Sequence, residues 1–196
     1  MGIVTLVSGG LDSTLMAKLI QETNVRQYPL FIDYGQRARE REHAACLQAM
    51  ATLGLPKPEI AGLDGFGALI RSGLTDTCQH VMEDAFTPGR NLFFLLIGAA
   101  WAYQKSADTV AIGLLNEDAS LFPDQTKIFL HRAQDMMSLA LGRDIRIVAP
   151  LSEFHKVDVV KLAKAKGIEG TYSCHAGGDT PCGVCIACRE FPEKEV

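Results

Sequence analysis

A serine and two glycines separate an apolar run from a helical pattern near the start of the chain, in the string SGGLDS at residues 8–13. Glycines permit a tight turn and a close approach of an anion to the backbone, and a helix N-terminus offers unpaired N–H groups and the positive end of its dipole. Ser8, Ser13 and Thr14 add hydroxyl donors, and Asp12 suits either a helix cap or a ligand of a cation that bridges phosphate oxygens. The string therefore predicts a cradle for a pyrophosphate group.

Two commoner phosphate-binding loops do not fit this string. The G-x-G-x-x-G spacing of dinucleotide-binding folds is absent, and neither Gly-Lys-Ser nor Gly-Lys-Thr follows. The sequence therefore disfavours both hydride transfer and ordinary P-loop hydrolysis. A capped strand-to-helix turn without a ligand is the remaining alternative, and it is the usual interpretation of a Gly-Gly pair that stands alone.

Four of the six cysteines lie close together near the C-terminus, at Cys174, Cys182, Cys185 and Cys188. Four thiolates suit a tetrahedral zinc ion, and metal binding can order a segment that has little apolar core. An iron–sulfur cluster also takes four thiolates, so the spacing alone does not identify the metal. We expect one structural Zn²⁺ per chain, and unligated or redox-active thiols are the alternative.

Apolar runs of strand length alternate with longer helical patterns along the chain, which is typical of a parallel sheet with crossover helices. The predicted strands lie at residues 3–7, 28–32, 59–61, 109–113 and 145–149, and the predicted helices at 12–22, 38–53, 91–105, 126–141 and 156–166. Continuous apolar strands indicate burial on both faces. We therefore predict an α/β fold with a doubly wound, mostly parallel five-stranded sheet and helices on both faces.

The helical periodicity ends before residue 170, and the rest of the chain is rich in glycine, cysteine and turn residues. We predict an α/β domain at residues 1–169 and a zinc-binding C-terminal segment at 170–196 that packs on it. The stretch 62–88 is also rich in glycine and turn residues, so we expect it to form a mobile lid over the site.

Length and composition exclude several classes of protein. The 196 residues suit one α/β domain, and 47% hydrophobic residues supply a substantial core. A net charge of -4 argues against a protein that holds a nucleic-acid backbone by neutralising phosphates. The longest apolar run, at residues 91–102, is too short to span a bilayer, and no signal sequence begins the chain. We expect a cytoplasmic protein with neither nucleic acid nor membrane as a direct partner.

The glycine string resembles the PP-loop of ATP pyrophosphatases, which cleave ATP to AMP and pyrophosphate and include amide-forming synthetases, tRNA thiolases and lysidine-forming enzymes. The resemblance implies an adenine nucleotide alpha hydrolase-like fold, with ATP and Mg²⁺ as cofactors. It assigns nucleotide binding to the loop, the first helix and one aspartate at a strand end, namely Val7, Ser8, Gly9, Gly10, Leu11, Asp12, Ser13, Thr14, Leu15, Met16, Ala17 and Asp33.

Further strings, in the same order along nearly the whole chain, resemble the 7-cyano-7-deazaguanine synthase family. They are DYGQR at 33–37, PGRN at 88–91, FPD at 122–124 and the cysteine-rich stretch 173–188. The resemblance implies an ATP-dependent C–N ligase of queuosine precursor biosynthesis. Such an enzyme converts 7-carboxy-7-deazaguanine and ammonia to 7-cyano-7-deazaguanine through an adenylated carboxylate and an amide. It also implies a homodimer.

The same resemblance implies roles for individual side chains. Asp12, Arg90 and Lys156 are the expected catalytic residues, with the two cations stabilising charge on phosphate or carboxylate oxygens. A deazaguanine also requires an acceptor for its N–H edge, which a carboxylate can supply. The expected substrate-binding residues are Gln36, Arg37, Asp118 and Asp124.

The stretch 118–126 departs from the family pattern, because an aromatic residue, a glycine, a cysteine and an arginine are replaced together. Three functions other than that of the synthase therefore remain as alternatives. One is a sister PP-loop ligase that acts on a different carboxylate or base. Another is a tRNA-modifying thiolase whose cysteines hold an iron–sulfur cluster, against which the acidic net charge counts. The third is a zinc-stabilised nucleotide-binding module without turnover.

Overall fold

The computed structural model describes residues 2–191, in which five strands form one sheet. The strands are β1 (Gly2–Leu6), β2 (Arg26–Asp33), β3 (Glu59–Gly62), β4 (Thr109–Ala111) and β5 (Arg146–Val148). Their spatial order is β3-β2-β1-β4-β5, and all four pairings are parallel, with Thr5 of β1 opposite both Pro29 and Ala111. The predicted parallel, doubly wound sheet is confirmed. Its strand order reverses between β1 and β4, which is the point where sheets of this kind bind ligands.

Five long helices lie within one residue of their predicted bounds, and two short helices were not predicted. In chain order the helices are α1 (Leu11–Gln21), α2 (Arg39–Thr52), α3 (Asp64–Leu69), α4 (Arg90–Gln104), α5 (Lys127–Leu141), α6 (Lys156–Ala165) and α7 (Ile186–Arg189). Two 3₁₀ turns, Glu117–Ala119 and Pro123–Gln125, follow β4. Within residues 2–191, no helix has both the length and the apolar character that crossing a bilayer requires.

Side chains of β1 alternate between two apolar layers. Val4 and Leu6 pack beneath α4 and α5, whereas Ile3 packs against α1 and α6 on the opposite face. Leu95 of α4 and Leu15 of α1 are fully buried, one in each layer. Each such burial stabilises the fold by roughly 1.5–3 kcal/mol. Packing in these two layers fixes the positions of the helix N-termini relative to the carboxyl ends of the strands.

The close approach of α4 to β4 requires a residue without a side chain at Gly98. A Cβ at this position would lie 2.9 Å from Cγ1 of Val110 and 3.3 Å from Cδ2 of Leu6. Contacts of that length force neighbours to move, so a larger residue would push α4 away from the sheet. Gly98 therefore helps to set the position of Arg90, the first residue of α4.

The stretch 62–88, expected to be a loop-rich lid, has a packed interior. Leu74 and Ala85 are buried, and the hydroxyls of Ser72 and Thr87 are 2.6 Å apart. The guanidinium of Arg37 donates to the carbonyl of a residue in this stretch, Gly73, at 3.1 Å. The stretch is thereby tied to the end of β2. Movement of this stretch over the site stays a prediction.

Candidate active site and cysteine cluster

A cavity of about 530 Å³ opens at the carboxyl ends of the central strands. Leu6, Ile32 and Ile112, each within one residue of the end of β1, β2 or β4, line it. The other walls come from the glycine loop, the N-terminus of α4, the segment after β4 and the cysteine-rich tail. Because open α/β sheets bind ligands outside this edge, the cavity is the candidate active site.

The glycine loop leads into α1, whose N-terminus faces the cavity. Gly9 has a φ of +82°, and Gly10 is the N-cap of α1. The hydroxyl of Ser13 accepts from the amide N–H of Ser8 at 3.1 Å and donates to the carbonyl of Gly10 at 3.2 Å. The hydroxyl of Ser8 accepts from the amide of Gly10 at 3.3 Å. Local hydrogen bonds therefore hold the shape that presents the N–H groups of α1.

Gly9 packs against the backbone of α2 with no room for a side chain. A Cβ there would clash with the carbonyl oxygen of Glu42 and lie 2.5 Å from the amide nitrogen of Cys46. We expect Gly9→Ala to lower the free energy of unfolding by about 3 kcal/mol, because this clash adds to the cost of a left-handed backbone. Gly54 is the matched control, since its φ is +64° but its Cβ position is open. Gly54→Ala is expected to cost about 1 kcal/mol in urea denaturation, and equal losses would contradict the packing argument.

Lys156 begins α6 and lies between two carboxylates. Its Nζ is 2.9 Å from each carboxylate oxygen of Asp12 and 3.2 Å from Oε2 of Glu190. Its side chain is only 13% exposed. Burial lowers the pKa of Lys156, but the carboxylates of Asp12 and Glu190 outweigh it and hold the pKa above its usual value. Two expected catalytic residues, Asp12 and Lys156, are therefore in direct contact at the cavity wall.

Arg90 is held against aromatic rings at the start of α4. Its guanidinium lies 5.9 Å from the ring centroids of both Tyr34 and Phe94, and it donates to the hydroxyl of Tyr34 at 3.4 Å. The next residue, Asn91, donates its backbone N–H to Oδ2 of Asp124 at 3.3 Å and its side-chain amide to the carbonyl of Asp124 at 3.0 Å. Asp124 therefore fixes the helix end that carries Arg90.

The expected site residues fall into two groups. Those that line the cavity are Val7, Ser8, Gly10, Leu11, Asp12, Ser13, Gln36, Arg90 and Lys156. Those that do not line it, within the part of the chain that the structure describes, are Gly9, Thr14, Leu15, Met16, Ala17, Asp33, Arg37, Asp118 and Asp124. Asp33, for example, accepts a hydrogen bond from Arg39 of α2 at 3.2 Å. The binding roles of both groups stay predictions.

Sequence reasoning did not assign a site role to Glu42 or His175, and both line the cavity. Glu42 accepts from the side-chain amide of Gln36 at 3.0 Å; burial raises its pKa, although this hydrogen bond and Arg90 oppose the shift. Burial, together with the charges of Arg90 and Lys156, lowers the pKa of His175 to about 4. A signal for Glu42 was present in the sequence, because Glu42 lies one helical turn before a cysteine on the buried face of α2.

The four predicted metal ligands converge at one point. The Sγ atoms of Cys174, Cys182, Cys185 and Cys188 all lie within 4.8 Å of one another. The amide N–H of each of the last three donates to the Sγ of the preceding cysteine at 3.3–3.4 Å. Although burial raises the pKa of Cys182, amide N–H groups including that of Val184 lower it to about 7. Convergent sulfurs supported by N–H donors are suited to hold a metal ion.

The cysteine cluster is joined directly to the glycine loop. The amide of Tyr172 donates to the carbonyl of Gly9 at 2.9 Å, and the hydroxyl of Ser173 accepts from the amide of Leu11 at 3.4 Å. On the other side of the cluster, Glu190 reaches Lys156. Residues just before and after the four cysteines therefore contact the glycine loop and Lys156 in the candidate active site.

Comparison with known proteins identifies a family and related folds. The sequence profile described as "Queuosine biosynthesis protein QueC" matches residues 2–192. A 7-cyano-7-deazaguanine synthase of Synechococcus sp. (strain CC9311) is 35% identical over 202 residues, which cover 95% of this chain and 88% of that protein. Among solved structures, NMN synthetase from Francisella tularensis aligns with a TM-score of 0.56 and 16% identity, over 91% of this chain and 68% of its own. The U34-tRNA thiolase NcsA from Methanococcus maripaludis, with its 4Fe-4S cluster, aligns with a TM-score of 0.54 and 17% identity. The alignment covers 88% of this chain and 59% of that protein.

Proposed function

The chain belongs to the queuosine biosynthesis protein QueC family, and from this membership we propose that it makes 7-cyano-7-deazaguanine from 7-carboxy-7-deazaguanine, ammonia and ATP. The family acts in queuosine precursor biosynthesis, and the chain is an ATP-using enzyme of the ligase type. The observation that carries the finer proposal is the convergence of the glycine loop, Asp12, Arg90 and Lys156 on one cavity. This cavity offers N–H donors and cations to ATP phosphates, beside space for a second reactant.

The proposed chemistry begins with a carboxylate, which is a poor electrophile because its oxygen leaves reluctantly. Transfer of AMP from ATP to that oxygen releases pyrophosphate, for which the N-terminus of α1 and Lys156 supply N–H donors and a positive charge. Ammonia attacks the acyl carbon and loses a proton, and AMP departs with the former carboxylate oxygen to leave the amide. A second ATP adenylates the amide oxygen and releases pyrophosphate, and loss of AMP and both protons of the amide nitrogen gives the nitrile.

Two charged side chains have separate tasks in this proposal. Asp12 would supply a carboxylate to Mg²⁺, which when bound neutralises phosphate oxygens. Arg90 also lines the cavity, where its planar guanidinium can bind a phosphate or the substrate carboxylate with paired hydrogen bonds. Its contact with Tyr34 and Phe94 fixes that orientation before a ligand arrives.

We propose that the cysteine cluster holds a single Zn²⁺ ion. Tetrahedral zinc with Zn–S bonds of 2.3 Å separates its sulfurs by about 3.8 Å. The Sγ atoms of Cys182 and Cys188 are 3.9 Å apart, and all four lie within 4.8 Å of one another. A four-iron cluster attaches each thiolate to a different iron and so needs a wider arrangement. The compact cluster therefore supports the ligase over an iron–sulfur thiolase.

We also propose that the protein is a cytoplasmic homodimer, as the family resemblance implied. The exposed side of α4 supports a contact with a second copy, because Leu92, Leu96 and Tyr103 are each at least 40% exposed along it. No charged residue lies between Asn91 and Gln104 on this helix. An apolar stripe of this kind typically marks an interface, and two-fold dimers are the commonest assemblies. Sedimentation equilibrium is expected to give twice the chain mass.

The test of the proposed function is incubation with ATP, Mg²⁺, ammonium and 7-carboxy-7-deazaguanine. Mass spectrometry is expected to show the amide first and then the nitrile, with one AMP released at each activation step. 7-Deazaguanine, which has no carboxylate to adenylate, serves as the control and is expected to give no AMP. Binding of ATP without AMP formation from the carboxylate would contradict the proposal and favour a sister ligase or a module without turnover.

A further inference from the structure

Among the residues that the structure describes, three carboxylates line the cavity, and two of them already contact a lysine. Asp12 and Glu190 both bind Lys156. Glu42 has no salt bridge to any cation within residues 2–191, and the side-chain amide of Gln36 is its one hydrogen-bond donor there. A carboxylate removed from bulk water without a cation is costly unless other donors reach it. Glu42 is therefore the wall carboxylate that no cation binds among these residues, and its oxygens can still accept hydrogen bonds from a ligand.

Gln36 holds Glu42 in a fixed orientation. The Nε2 of Gln36 donates to Oε2 of Glu42 at 3.0 Å and to the carbonyl of Ile32 at 3.3 Å. Its Oε1 accepts from the amide of Tyr34 at 2.9 Å. The amide of Gln36 is therefore committed to the end of β2 and to Glu42. Oε1 of Glu42 accepts no hydrogen bond from the residues that the structure describes, and Oε2 keeps a second lone pair.

The other groups near Glu42 suit a flat, polar ring. The aromatic rings of Tyr34 and Phe94 lie 5.2 Å apart and form part of the same wall. Arg90 contacts both rings and can balance the negative charge of a substrate carboxylate. The wall thus offers an acceptor, an apolar surface and a cation. Asp118 and Asp124, which the sequence predicted as acceptors for the base, do not line the cavity within residues 2–191.

We propose that Glu42 is the residue that recognises the base, by accepting hydrogen bonds from the N1–H and the 2-amino group of its six-membered ring. This inference rests on the proposed function, because it names how that reaction's substrate is selected. Two neighbouring N–H donors match the two oxygens of one carboxylate, as in other bidentate pairs. Gln36 acts as a positioning residue, since it holds the carboxylate and has no free donor for the substrate.

The test combines a change in the enzyme with a change in the substrate. The analogue 7-carboxy-7-deazahypoxanthine lacks the 2-amino group, and wild-type enzyme is expected to use it with kcat/KM about 100-fold lower. Glu42→Gln is expected to lower kcat/KM for the full substrate by about the same factor through KM for the base, with KM for ATP unchanged. In that variant kcat/KM for the two substrates is expected to differ by less than about threefold, because neither substrate then makes the hydrogen bond to the Glu42 carboxylate.

Glu40→Gln is the matched control, because Glu40 lies on the same helix with a side chain 90% exposed. A wild-type enzyme that forms no nitrile would refute the proposed function itself. A wild-type enzyme that forms nitrile but uses both substrates equally would overturn the role of Glu42, and so would a Glu42→Gln variant that behaves like Glu40→Gln. If Glu42→Gln melts early, Glu42→Asp replaces it, with an expected loss of about tenfold. The affinity of Glu42→Asp for 7-cyano-7-deazaguanine, measured by calorimetry, is expected to fall by the same factor.

Discussion

Asp12→Asn is expected to lower kcat/KM for ATP about 1000-fold while the fold persists. The carboxylate of Asp12 lies at the N-terminus of α1, lines the cavity and contacts Lys156 through both oxygens. An asparagine keeps the shape but removes the charge that a magnesium ion needs and the anchor that fixes Lys156. Glu190 still holds Lys156 in the variant, so we expect little change in the melting temperature. AMP release at saturating carboxylate and ammonia measures the effect.

Lys156→Gln separates the two roles that this prediction gives to Asp12. If Asp12 binds Mg²⁺, Asp12→Asn is expected to raise the Mg²⁺ concentration required for half-maximal rate, and Lys156→Gln is not. If Asp12 serves only to hold Lys156, both variants would show the same Mg²⁺ dependence. Asp135→Asn is the control for removal of a surface charge, because Asp135 is about half exposed on α5. AMP formation by Asp12→Asn at the wild-type rate would refute a catalytic role.

The sheet and the long helices were predictable because their signals are local. Apolar runs set the strands, and the helical stripes placed α1, α2, α4, α5 and α6 within one residue of their observed bounds. The predicted strand 109–113 was two residues too long, since β4 ends at Ala111. Ile112, whose amide still donates to the carbonyl of Val148 in β5, and Gly113 lie beyond the end of β4 and line the cavity. Apolar character predicts burial, but it does not distinguish a strand residue from the wall of a site.

Side-chain direction at the strand ends was not predictable from the same pattern. Asp33 follows the expected strand, yet its carboxylate contacts Arg39 instead of the cavity. The guanidinium of Arg37 contacts the carbonyl of Gly73, which lies 36 residues further along the chain. The carboxylate of Glu42, on α2, is held at the cavity wall by a hydrogen bond from the side-chain amide of Gln36, which precedes that helix. One of these orientations depends on a partner distant in sequence, and the other two depend on how the chain turns from β2 into α2, so the apolar pattern does not specify them.

In the cysteine-rich tail, the spacing of the cysteines predicted the metal ligands but not the local structure around them. The spacing placed four sulfurs together, and the structure brings them within 4.8 Å. It did not predict α7, a four-residue helix that begins after Cys185 and is capped by its Sγ, which accepts from the amide of Cys188. Helix propensity over four residues is too weak to specify such a turn. The contacts of Tyr172 and Ser173 with the glycine loop were also missed, because they join two segments that only the fold brings together.

Cys185→Ser is expected to abolish metal binding and to lower ATP turnover together with stability. Cys185 is fully buried, and a serine hydroxyl does not deprotonate to replace a thiolate ligand. Without the ion, the cysteine side chains no longer share a ligand that orders the tail, and Glu190 no longer has a fixed position beside Lys156. We expect less than about a tenth of an equivalent of zinc, a melting temperature lower by roughly 10 °C, and at least about tenfold slower AMP release.

Cys78→Ser is the matched control for this loss, because Cys78 is an exposed thiol outside the cluster. It is expected to keep one zinc per chain, the wild-type melting temperature and the wild-type rate. Zinc is measured by plasma mass spectrometry after gel filtration, and melting is followed by circular dichroism. A Cys185→Ser protein that retains one tightly bound zinc would contradict the ligand assignment. One that loses zinc and stability but releases AMP at the wild-type rate would show that the tail does not shape the active site, because the contacts of Tyr172, Ser173 and Glu190 would then be dispensable.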